Sequence, residues 1–214
     1  MEVVVVVVVL CVMVAMLLPM LARSKHGVPG SQCVGNLKQI GFAFRLWALD
    51  HNDKSPMQIP VTNGGTMEWV ESGDVYPHFL VLSNELNTPK VLYCATEADT
   101  NRIVASTFAR EEVLDGAVPF ANNNNVTYFV GVDADQTKPR LLLSGDHSFT
   151  VAGTKPSQGL LRIWTNTQVG WDANRHSYGG TVCLSDGSVQ RLSSQNLNQA
   201  FQASGVATNR LAMP

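Results

Sequence analysis

His176 and the pair Asp186-Gly187 stand with nine residues between them. A histidine and a carboxylate at such spacing can hold a metal ion, respond to pH, or brace a loop by hydrogen bonding. One His and one Asp do not complete a metal site. Were Asp146 or nearby carbonyls to join them, the oxygen-rich set would favour calcium over zinc. The brace is the stronger reading, and no metal or other cofactor is expected. Asp186 itself, placed before Gly187, is first a turn residue. Ser144, Asp146 and His147 bring hydrolase side-chain types close together in the chain. Adjacent strand residues point to opposite faces, however, and no Gly-x-Ser-x-Gly elbow is present, so they make a poor triad. Asp50, Asn52 and Asp53 are too few, and lack the required glycine, for a calcium loop. The expectation is a protein without catalysis.

Cysteines supply the next candidate chemistry. Cys33, Cys94 and Cys183 show no C-x-x-C spacing, and Cys11 falls in an apolar run where it serves as filler. In an oxidising compartment Cys33 and Cys94 would pair and tie a helix to the following loop. The alternative is three buried thiols. Cys183 is the odd one out, inside a predicted strand.

The elements that must position these residues start with a membrane-type segment. Val3 to Leu18 is an unbroken apolar run after Glu2, followed by Pro19, Met20, Leu21 and Ala22. A bilayer core needs roughly 20 apolar residues in a helix. A cleaved signal would carry a basic start and a small-residue cleavage site, and neither is evident. A plain anchor leaves Glu2 unexplained, because a carboxylate at the lip of a membrane helix is costly unless paired. Pro19 removes a helical hydrogen bond and kinks the rod.

Behind this segment composition fits a small exported domain. Only 15% of residues are charged, with 15 basic against 17 acidic and a net charge of −2. That balance argues against a nucleic-acid partner. The interruption Gly27-Val28-Pro29-Gly30 is followed by a helix starting at Ser31. In it Cys33, Leu37, Ile40, Phe44 and Trp47 alternate at spacings of four and three, one stripe on a core. Phe42, Leu46 and Leu49 fall on the opposite side, which suits packing against neighbouring subunits. Candidate strands are Val126 to Val130, Arg140 to Leu143, Leu160 to Trp164, and a hairpin of Thr181 to Ser185 with Ser188 to Leu192. Asp186-Gly187 suits a two-residue type I′ turn, which sets Leu184 opposite Val189. A short helix follows from Ser194, and Gly205 stops it. Residues 101–125 read as loop.

Three matches in order carry a family resemblance. Glu2 and Pro19 lie seventeen residues apart, Cys33-Val34-Gly35-Asn36-Leu37-Lys38-Gln39-Ile40-Gly41 resembles a CxxNLKQIG segment, and His176 with Asp186-Gly187 resembles an H-x9-DG element. Together they resemble the prepilin-like proteins of type II secretion and type IV pilus-related systems. The resemblance implies an α+β fold: a transmembrane spine helix, then an amphipathic helix packed on a mainly antiparallel β-sheet head. It divides the chain into a spine over residues 1–22, a continuation over 23–56 with the Gly/Pro interruption, and an extracytoplasmic β-rich head over 57–214. It implies a structural subunit of the bacterial inner membrane, crossing once, whose partners are other pilin-like subunits and the secretion or pilus assembly machinery. Glu2 and Pro19 would serve assembly. Arg23, Lys25, Lys38 and Arg45 follow the spine and alone would hold the head in the cytoplasm. The resemblance implies a basic leader and the opposite orientation, so the natural start is expected upstream of Met1. The alternative is a membrane-anchored module that binds a solute or carbohydrate outside the cytoplasm. Trp69, Trp164, Trp171 and Tyr178 would supply its aromatic platform, although such residues serve more readily as core or loop packing.

Overall fold

The computed structural model of the chain describes residues 31–95, 97, 99–109, 116–172 and 179–214, with Val4, Val6, Val7 and Met13. Those four positions are helical and exposed. Glu2, Pro19, the Gly27 to Gly30 interruption and His176 lie outside the described residues. Among the described residues no helix is long and apolar enough to cross a membrane.

Helix α1 spans Ser31–Leu49. Its apolar stripe is fully engaged, since Cys33, Leu37, Ile40, Phe44 and Trp47 are at most 4% exposed. The helix ends because Asn52 and Asp53 turn into the left-handed region, with φ of 56° and 58°, a conformation that cannot continue a right-handed helix. His51 finishes the cap. Its ring stacks on Trp47 at 3.6 Å, and its Nδ1 donates to the Trp47 carbonyl at 2.7 Å.

From Asn52 to Thr127 the described chain forms no strand. It makes 3-10 turns and two short helices, α2 (Tyr76–Leu80) and α3 (Ser83–Leu86). The head is therefore β-rich only in its second half. The first half contributes apolar side chains, among them Val75, Phe79, Leu82 and Leu92, to the core beneath α1.

The strands are β1 (Tyr128–Gly131), β2 (Leu142–Asp146), β3 (Phe149–Val151), β4 (Gly159–Trp164), β5 (Val169–Trp171), β6 (Gly179–Leu184), β7 (Val189–Ser193) and β8 (Thr208–Met213). Helix α4 (Ser194–Ala203) lies between β7 and β8. Six strands form one sheet in the order β4-β8-β1-β2-β6-β7, and β3 pairs with β5 in a second. Every strand pairing is antiparallel. The fold is thus α+β with a mainly antiparallel sheet.

Side-chain alternation sorts the sheet residues into two cores. Tyr128, Val130, Leu143, Cys183 and Ala212 face α1. Phe129, Leu142, Val182, Leu211 and Met213 face the other way, against β3, β5 and α4. Central strands β1 and β2 are accordingly buried along their whole length. Where β4 and β8 pair, Arg162 stands opposite Arg210, a repulsive arrangement unless neutralised. Glu71 bridges them, accepting from each at 2.8 Å, and Asp133 accepts from Arg210 as well.

The C-terminal hairpin forms with a different turn from the one expected. Cys183 pairs with Val189, not Leu184. The Leu184 carbonyl accepts from Gly187 N at 2.9 Å, and Leu184 N donates to Ser188 O. Only Gly187 takes positive φ, 81°. This is a three-residue loop, a type I turn closed by a left-handed glycine. The extra loop residue is Ser185, whose N–H donates to Leu141 O. The one-residue slip turns Cys183 and Val189 toward α1 and sends Leu184 to the second core.

Buried His78 on α2 gives the fold a pH dependence. Its Nδ1 meets Thr66 Oγ1 at 2.7 Å, and burial lowers its pKa from 6.5 to about 4. The unfolded chain therefore binds the proton first as pH falls. Stability is complete above pH 6.5 and declines toward pH 4, by about 3 kcal/mol. Urea unfolding across that range should show the decline in the native chain and a flatter profile in His78→Gln.

Candidate functional site: the anchored helix

Four contacts fix α1 to the head, each at a different level along its axis. At its first turn Cys33 is disulfide-bonded to Cys94, with Cα atoms 5.7 Å apart and a sequence separation of 61. One turn on, buried Asn36 donates through Nδ2 to Tyr93 O at 3.1 Å and to the Tyr128 hydroxyl at 3.2 Å. Next, Gly41 faces the hairpin. A Cβ there would lie 2.7 Å from Cys183 Sγ and 3.7 Å from Gly187 Cα. Beyond the helix, Ser55 Oγ donates to Ala134 O at 2.8 Å. The Cys, Asn and Gly of the segment singled out in the sequence are thus the residues that seat the helix.

The opposite face of α1 is bare. Phe42 and Leu49 are 60% and 65% exposed, Leu46 is half-buried, and Lys38 and Arg45 flank them in solvent. Two large apolar side chains held this far out on a rigid helix are the kind of surface that marks an interaction site.

Beneath the disulfide lies a buried polar cluster. Cys94 N donates to Thr127 Oγ1 at 2.7 Å. His147 Nδ1 donates to Thr127 O at 2.8 Å, leaving Nε2 3.8 Å from Glu97 Oε2. Arg102 Nε also approaches Glu97 Oε2 at 3.8 Å. The Arg102 guanidinium donates to the carbonyls of Asn123 and Val126 and to Pro214 O. Nearby, the Asn101 backbone N–H holds the Asp99 carboxyl below its usual range, helped by the Arg102 charge.

The expected site residues separate within this frame. Asp146 is buried, its Oδ2 accepting from Thr181 N at 2.8 Å. Asp186 is exposed in the hairpin turn, its Oδ1 accepting from Ser188 N at 2.8 Å. They sit beyond opposite ends of the Thr181 to Leu184 stretch, so Asp146 and Asp186 do not share a ligand set. A carboxylate oxygen of Asp146 does lie within 4.8 Å of both sulfurs of Cys33 and Cys94. Those sulfurs are bonded to each other and offer a metal no thiolate. Ser144 Oγ donates to Phe129 O at 2.8 Å, which occupies it structurally. Burial pushes the Cys183 thiol up to about 12, with Asp186 adding to the effect, so it stays protonated and inert.

Sequence reasoning did not single out Glu97 or Arg102. They stand in loops without periodicity, and the Arg102 partners include backbone carbonyls, which carry no signature in the residue code. No family model, no curated protein and no solved structure matches the chain.

Two measurements check the seating of the helix. Cys33→Ser with Cys94→Ser should cost about 4 kcal/mol of unfolding free energy, the loop-closure value for a closed loop of this length. Gly41→Ala should destabilise by about 1–3 kcal/mol through overpacking, despite alanine being the better helix former. Adding Cys183→Ala removes the clashing sulfur, so the double variant should lose less than the two single losses combined.

Proposed function

We propose that this chain is a structural, pseudopilin-like subunit of a type II secretion or type IV pilus-related system, assembling through its N-terminal helix. The observation that carries the reading is the two-sidedness of α1. One face is fixed to the head by a disulfide, a buried asparagine and a glycine contact. The other presents Phe42 and Leu49 to solvent. Rigid attachment is what a load-bearing helix requires, and an apolar outer face is what packing against a neighbour uses.

In this reading the apolar run after Glu2 holds the subunit in the bacterial inner membrane, with the head on the far side. The spines then leave the bilayer and bundle. Glu2 would neutralise a free amino group of the adjacent subunit, because a carboxylate buried in an apolar bundle is strongly destabilising without a partner. Pro19 would set the bend of the rod. The work done is assembly, with no catalytic step and no cofactor.

Incorporation into filaments, followed by shearing and immunoblotting, tests the proposal. Glu2→Ala should abolish incorporation, and unchanged incorporation would overturn the role. Phe42→Lys with Leu49→Lys should lower incorporation by roughly ten-fold or more, as loss of paired hot-spot residues does. The head's unfolding midpoint should not move, since both side chains are exposed.

A further inference from the structure

Three stretches of the head contain no Asp, Glu, Lys or Arg: residues 148–154, 163–171 and 192–209. The fold brings all three to one open groove between the β3–β5 sheet and α4, about 730 Å³ in volume. Among the described residues that line it, none is charged. In a chain with 32 formally charged side chains, 15 basic and 17 acidic, that is a local exclusion of charge.

The base of the groove is held rigid. Asn198 on α4 accepts from Val169 N at 2.9 Å, and donates to Ser194 O at 2.8 Å and to Val169 O. Ser194 Oγ accepts from Trp171 N at 2.9 Å. These two α4 side chains take the place of a third strand along the open edge of β5. On the other side Thr150 Oγ1 donates to Gly170 O at 3.1 Å. Between them Gly170 leaves the floor bare, since a Cβ there would meet nothing closer than 3.6 Å.

Above this base stand Gln168, Gln195, Gln199 and Gln202, all exposed. Among the described residues none of their side-chain amides makes a hydrogen bond. Each amide offers an acceptor and two donors on one planar group.

We propose that this groove binds a neutral glycan. Free amides over a fixed floor match the paired hydroxyls of a sugar ring. The other ligand classes are disfavoured by what is missing. Among the described lining residues there is no cation for a phosphate or a uronate, no carboxylate for a metal or an amine, and no apolar pocket for the anchor side chains of a peptide. The proposal goes beyond the assembly reading and does not rest on it, because the groove lies on the sheet face opposite α1.

The test is amide-resolved NMR on the full chain in a zwitterionic detergent without a sugar head group. Cellohexaose, maltohexaose and chitohexaose are the neutral probes, and hexagalacturonate is the charged control. At millimolar concentrations at least one neutral probe should shift the side-chain amide resonances of Gln195, Gln199 and Gln202, with affinity unchanged by added salt. Gln195→Ala with Gln199→Ala should weaken that binding by about five- to ten-fold. Gly170→Leu, which fills the floor, should abolish it. If Gly170→Leu fails to fold, the double alanine variant on the exposed helix face still decides. No response to any neutral probe would overturn the proposal. So would a preference for hexagalacturonate, or shifts at these amides that depend only on protein concentration and report self-association.

Discussion

The structure depends on how closely α1 can approach the sheet, and that distance is set where Gly41 meets Cys183 and Gly187. A side chain at this position would collide with the Cys183 sulfur, so the helix can sit no higher without opening the core. Everything on the inner stripe follows from that seat. Leu37, Ile40 and Phe44 are buried because the axis is this near the strands. Asn36 reaches Tyr93 and Tyr128 for the same reason. The hairpin register answers to the same contact. The one-residue slip that places Cys183 and Val189 opposite each other also delivers the sulfur to the glycine.

The features legible in the sequence were those with a strong period or a local chemical signature. Helix α1 is written in the four-three spacing of Cys33 to Trp47, and α4 in its start at Ser194 and the break at Gly205. The hairpin was legible as a hairpin, but its turn was not. Asp-Gly serves equally in a two-residue turn and in a three-residue loop, and the choice is made by the bond from Ser185 to Leu141, across 44 positions. Strands β3 and β5 are three residues each, too short for any alternation to show. Strand β8 reads Thr-Asn-Arg-Leu-Ala-Met, with one β-branched residue, and is extended because strands on both sides pair with it.

The site divides in the same way. Cysteines 33 and 94 stood out by chemistry, and the bare face of α1 stood out by the positions of Phe42 and Leu49. The Glu97, Arg102 and His147 cluster did not, because its geometry is long-range and its partners are partly main chain. A buried arginine of this kind is informative about packing. It gathers carbonyls from Asn123, Val126 and Pro214, binding an irregular loop to the start of β1 and to residue 214 at the end of β8.

The place of β8 in the sheet has a consequence for how the head comes into being. Residues 208–213 lie between β4 and β1 and pair with both. Among the described residues strand β4 has no other partner in that sheet. As the chain emerges from the ribosome, β1, β2, β6 and β7 can associate as they appear, yet β4 must wait, unpaired, until the final strand arrives. Closure is therefore non-local and late, of the kind that folds slowly. A passing chaperone would meet the head with one strand exposed for the whole of that interval.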